Sequence, residues 1–245
     1  ILATLAVAIT ACFAYCFRAG RPFAPGRVAA PTAAFDYVLY LACGLVGIFF
    51  SYLEWKWKIL GSWWDLYLFG SGLLFAALAY RFDNRLVLGV GLMNLAVWLG
   101  VNADRWHFGE VGDRLAMTAY GALLFAIGAS TRKSELKAHF ADIYLRFGVY
   151  LALTAMLTDA MRFDAPQFWT LMVVCAALGY WSLRERRFDT FAAAVGYAYF
   201  SVLASLLHAI GGRDFDAMLW LIIISSGAVL GALLWARARF KEASS

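Results

Sequence analysis

Residues 217–236 read AMLWLIIISSGAVLGALLWA, a stretch without a single ionisable side chain, bracketed by Arg213, Asp214 and Asp216 before it and by Arg237, Arg239 and Lys241 after it. An α-helix rises 1.5 Å per residue, so roughly 20 such residues span the ~30 Å hydrocarbon core of a bilayer. In hydrocarbon every backbone N–H and C=O must find its partner within the segment, which a helix achieves and an open strand does not. Residues 217–236 therefore predict a membrane-spanning helix. Outward from it, comparable apolar runs occupy 1–17, 35–53, 62–80, 86–103, 115–130, 143–160, 167–183 and 190–209. The expected fold class is an all-α integral membrane protein, a bundle of about nine transmembrane helices forming one polytopic domain over 1–245. With 63% hydrophobic and 15% charged residues and a mean hydropathy of +0.70, the composition excludes an ordinary water-soluble enzyme.

The connections carry the charge. Residues 18–34 hold three of the four prolines, Pro22, Pro25 and Pro31, and read as an exposed loop. Between 131 and 146 the apolar residues Leu136, Phe140, Ile143 and Tyr144 recur at helical spacing around Lys137, His139 and Asp142, predicting an amphipathic turn on the membrane surface. Of the 21 Lys and Arg residues, fifteen follow odd-numbered runs and six follow even-numbered ones. Because Lys and Arg concentrate on the cytoplasmic side, this split reports orientation rather than nucleic-acid binding, and it places the C-terminus at Ser245 in the cytoplasm. The first residue then lies outside, and no initiating Met is present, so an N-terminally truncated fragment is expected. Trp55, Trp57, Trp63, Trp64, Trp106 and Trp169 fall near the outer ends and read as interfacial anchors.

Residues 63–129 can be laid on 169–235 at an offset of 106, which brings Arg81-Phe82-Asp83 onto Arg187-Phe188-Asp189. An offset of four crossings preserves orientation, so the expected repeat is parallel, with the third to fifth helices matching the seventh to ninth. In each tripeptide the Asp is suited to cap the following helix, and the Arg to complement the carboxyl end of the preceding one. Gly227-x-x-x-Gly231 has the spacing of close helix approach; it predicts packing inside the bundle or, alternatively, a contact with a second subunit. The segments AYRFDNRLVLGVGLMNLAVWLG (79–100) and KAHFADIYLRFG (137–148) resemble a bacterial multi-pass membrane protein family of unknown function. That resemblance implies a bacterial inner-membrane protein and no mechanism.

Ionisable groups deep in a bilayer are costly and mark function by default, yet the central polar group in these runs is only Asn94, suited to a helix-to-helix hydrogen bond. The three histidines are isolated in sequence and the cysteines form no C-x-x-C pair, so no metal ligand set, catalytic residue or cofactor is indicated. The candidate ligand-binding residues are Asp65, Asp159, His208 and Asn94. Asp65, Asp159 and His208, with Thr158 and Ser205, fall at one depth near the outer ends, where a carboxylate must face water or a partner, which predicts a shared outward-facing vestibule. The leading functional expectation is a non-catalytic scaffold or accessory subunit of a membrane complex. Transport or lipid handling, and an enzyme acting on a lipid-linked substrate at the outer face, are the alternatives. The expected partners are membrane lipids and either other subunits or further copies of the chain, not nucleic acid.

Overall fold

The structure is a computed structural model that describes residues 1–59, 61, 64–105, 109–134, 136–161, 165–210 and 215–242, without the side chains of 64, 103–105, 109–111, 113, 165, 215, 217 and 241–242. The described residues form helices and turns and no strand. In chain order the helices are α1 (Leu2–Ala19), α2 (Ala33–Trp57), α3 (Trp64–Phe82), α4 (Arg85–Arg105), α5 (Gly109–Thr131), α6 (Ala141–Ala160), α7 (Ala165–Arg184), α8 (Phe188–Ile210) and α9 (Phe215–Glu242), with a 3-10 turn, Ala138–Phe140, leading into α6.

Six of these segments are long and apolar enough to cross a membrane: α1, α2, α4, the 3-10 turn with α6, α8 and α9. The other three of the nine expected crossings form helices but fall short in apolarity. Asp65, Tyr67, Tyr80 and Arg81 dilute α3, Glu110, Asp113 and Arg114 dilute α5, and Gln167, Tyr180 and Arg184 dilute α7.

The chain divides into two compact units, Ile1–Gly148 and Val149–Ser245, with the boundary inside α6. In the first unit α3 and α4 form a tight hairpin whose backbones nearly touch. A Cβ on Gly91 would stand 2.9 Å from the Gly72 carbonyl oxygen and 3.0 Å from the Ala76 nitrogen, so only glycine fits. Gly148 of α6 is equally constrained, at 2.6 Å from both the Gly121 oxygen and the Phe125 nitrogen of α5. Around these approaches lies a core of fully buried side chains including Phe35, Leu39, Leu88 and Phe140. Thr32 caps α2, its Oγ1 accepting the Phe35 N–H at 3.3 Å. The second unit is held by α7 against α8, by Tyr197 of α8 bonded to Thr154 of α6 at 2.6 Å, and by Tyr199 of α8 bonded to Ser225 and Ser226 of α9 at 2.9 and 2.8 Å.

Two sequence expectations are corrected here. The paired tripeptides are not equivalent in backbone: Arg81 and Phe82 end α3 and Asp83 is left-handed (φ 58°), whereas Phe188 and Asp189 already belong to α8 and the left-handed residue of that turn is Arg186 (φ 54°). Gly227 and Gly231 do not pack against the other described helices of the second unit either, since a Cβ on either would meet nothing within 4 Å.

Candidate functional site

Asp83 does not cap α4. That task falls to Asn84, whose Oδ1 accepts the N–H groups of Leu86 and Val87, each at 3.1 Å, while its Nδ2 donates to Asp36 Oδ1 at 2.9 Å and Tyr40 Oη at 3.1 Å. One residue earlier, the left-handed backbone turns the Asp83 carboxylate the other way, into a buried polar cluster. It accepts the Val28 N–H, the Lys137 ammonium at 3.1 Å and His139 Nε2. Lys137 is fully buried and is itself left-handed (φ 51°). Its N–H donates to the Pro25 carbonyl at 2.7 Å, its Nζ donates to the Gly26 carbonyl at 3.2 Å, and the ammonium lies 5.1 Å from the Phe23 ring centroid. Arg81 completes the anchorage with a 2.7 Å bond to the Arg21 carbonyl.

Within the stretch expected to be an amphipathic surface turn, Arg132, Lys133, Ser134 and Leu136 are exposed, but Lys137 is buried and His139 is half-buried. Lys137 points inward because Asp83 and the Gly26 carbonyl receive its ammonium, and His139 bonds the same carboxylate; a buried charge is tolerated only when so paired. The 18–34 loop is largely exposed as expected, but it is pinned by three separate elements. Burial works to raise the Asp83 carboxyl, yet the Val28 N–H, Lys137 and His139 outweigh it and hold the group below the usual carboxylate range.

Asp65 lies in the first turn of α3, only 2% exposed, and accepts a 2.6 Å bond from Asn102 Nδ2 near the end of α4, whose amide also donates to the Trp98 carbonyl at 3.0 Å. Asn94 Nδ2 donates to Ser71 Oγ at 3.0 Å, again joining α4 to α3. In the second unit Asp159 is half-buried and lines a pocket of about 230 Å³ with Met156, Gln167 and Thr170, while His208 is exposed in the last turn of α8 and does not line it. Thr158 and Ser205 spend their hydroxyls on carbonyls of their own helices, Ala155 at 2.7 Å and Ser201 at 2.9 Å. Trp55, Trp57 and Trp169 are exposed, and all four cysteines are free thiols. Trp63, Trp106, Arg213, Asp214 and Ser245 lie outside the described residues.

A groove of about 620 Å³ in the first unit lies between the N-terminal halves of α4 and of α6. Arg85, Asp142 and Arg146 stand at its rim, Leu86, Val90, Met93 and Phe147 form its walls, and Asn94 closes its far end. Neither this groove nor the Asp83 cluster was legible as a unit in the sequence, because each draws on residues more than fifty positions apart. A local hint did exist: of the adjacent Asp83 and Asn84, only one can cap α4.

Comparison with protein-family models, with curated proteins and with solved structures finds no match to this chain, so the resemblance stated above gains no support from them and the site rests on its own geometry.

Proposed function

We propose that the chain is a multi-pass protein of a bacterial inner membrane that serves as a non-catalytic scaffold or accessory subunit of a larger membrane complex. The observation that carries this reading is α9. Its apolar span Met218–Phe240 is long enough to cross a bilayer, and no described residue of α9 is buried. Trp220, Ile224, Leu234 and Trp235 are each more than 60% exposed, and Gly227 and Gly231 leave a stripe where another helix could approach closely. The interior polar groups support the same reading. Asp65, Asn94 and Asn102 are engaged in interhelical hydrogen bonds, the use of polar side chains as glue between helices.

The test is site-specific photocrosslinking in native membranes from Ile224 and Trp235. A discrete protein adduct, either with another chain or with a second copy, is the expected outcome. Adducts to lipid alone from both positions would overturn the proposal.

A further inference from the structure

We infer that the groove between α4 and α6 seats an anionic diacyl phospholipid, its headgroup phosphate held by Arg85 and Arg146 and one acyl chain lying along Leu86, Val90, Met93 and Phe147. The inference is independent of the scaffold reading, since a scaffold and a protein that acts alone can equally carry a bound lipid.

The length fits. Arg85 and Met93 are eight residues apart on one helix, about 12 Å along its axis, against a hydrocarbon leaflet of roughly 15 Å. A headgroup at the Arg85 level thus places an acyl chain along the whole wall. The wall is chemically suited to hydrocarbon. Leu86 and Met93 are each 54% exposed on a helix apolar enough to cross a bilayer, so what covers them at that depth is lipid-like. Gly89 lets the Phe147 ring come within 3.5 Å of where a Cβ would stand, and this contact joins the α4 and α6 sides of the groove.

The rim selects the headgroup by charge. Two guanidinium groups and one carboxylate, Asp142, leave a net charge of about +1, and guanidinium is well matched to phosphate oxygens. Arg85 opens α4 and Asp142 lies in the first turn of α6, so the positive ends of both helix dipoles add to the attraction. A phosphatidylglycerol headgroup carries one net negative charge and is favoured. A phosphatidylcholine headgroup brings its own quaternary ammonium next to the two arginines and is disfavoured.

The experiment uses the full chain, delipidated in mild detergent and offered phosphatidylglycerol and phosphatidylcholine with identical acyl chains, with bound lipid counted by native mass spectrometry. The expected preference for phosphatidylglycerol is about fivefold, the attraction of one net charge near a membrane surface. R85Q/R146Q should bind the two lipids equally, and V90W, which fills the wall without changing charge, should reduce binding of both. Equal binding by the unmodified protein would overturn the inference without recourse to any variant. So would a preference that survives R85Q/R146Q, or displacement of phosphatidylglycerol by millimolar inorganic phosphate, which would mark a bare anion site. Thermal unfolding of each variant confirms that it is folded before its binding is compared.

Discussion

Asp83 and Lys137 are two of four non-glycine residues with positive φ among those described, and they bond to each other. A left-handed backbone costs an ordinary residue on the order of 1 kcal/mol, so two such residues persist only where the surrounding bonds over-determine them. Asp83→Asn leaves the buried Lys137 ammonium without its counter-charge and should lower stability by about 3 kcal/mol, the usual penalty for breaking a buried pair from one side. Lys137→Met in the same background should recover much of that loss, giving a clear coupling energy in a double-mutant cycle read by thermal unfolding in detergent. Additive losses would mean that the pair does not act as a unit. The pH dependence follows in sign. The folded carboxyl of Asp83 lies below its unfolded value, so its contribution is complete above about pH 4 and is lost only as pH falls through the lower folded value. Asp83→Asn should therefore flatten the acid limb of the stability profile. The sequence exposed the ingredients of this cluster, charged residues at helix ends, but not their convergence. A solvated charge and a paired buried one look identical until the chain is folded.

At the scale of the helices, apolar runs were the legible part. Each of the nine runs became a helix, because length and hydrophobicity act locally and need no knowledge of neighbours. Which glycines bring helices together was not legible. The recognisable spacing, Gly227 and Gly231, meets no other described helix of the second unit, while tight contacts with a neighbouring backbone fall at Gly72, Gly91, Gly128 and Gly148. Close approach depends on the partner helix, which a spacing rule applied to one helix cannot contain. The contrast yields a controlled prediction. At Gly91 an added methyl meets backbone atoms of α3 that cannot swing aside, so Gly91→Ala should cost about 1–3 kcal/mol, as overpacking does. Gly70, one helix away, has nothing within 4 Å of its Cβ position, and Gly70→Ala should be neutral or slightly stabilising through helix propensity. Thermal unfolding of both variants decides the matter, and equal effects would mean that the α3 and α4 backbones are not in contact.

For the molecule as a whole, the Asp83 cluster does something the charge count alone could not. It joins the loop before α2 through Val28, Pro25 and Gly26, the turn between α3 and α4 through Asp83, and the connection before α6 through Lys137 and His139. The odd-numbered connections of the first unit thus meet at one end, which requires α1 to α6 to alternate in direction. Nine Lys and Arg residues, from Arg18 to Arg146, follow the odd-numbered runs of that unit, whereas Lys56, Lys58, Arg105 and Arg114 alone follow its even-numbered ones. At the even-numbered end Asp65 and Asn102 tie the start of α3 to the end of α4. An alternation built into the fold and a charge bias along the same alternation together predict that Lys133 faces the cytoplasm and Lys56 the opposite side. If the alternation continues through the second unit, Ser245 is cytoplasmic as well. Single cysteines at Lys133, Lys56 and Ser245 in intact cells, probed with a membrane-impermeant maleimide in a background lacking the four native thiols, should label at Lys56→Cys only. External labelling at Lys133→Cys would invert the first unit, and labelling at Ser245→Cys with Lys133→Cys protected would mean that an odd number of crossings separates those two positions.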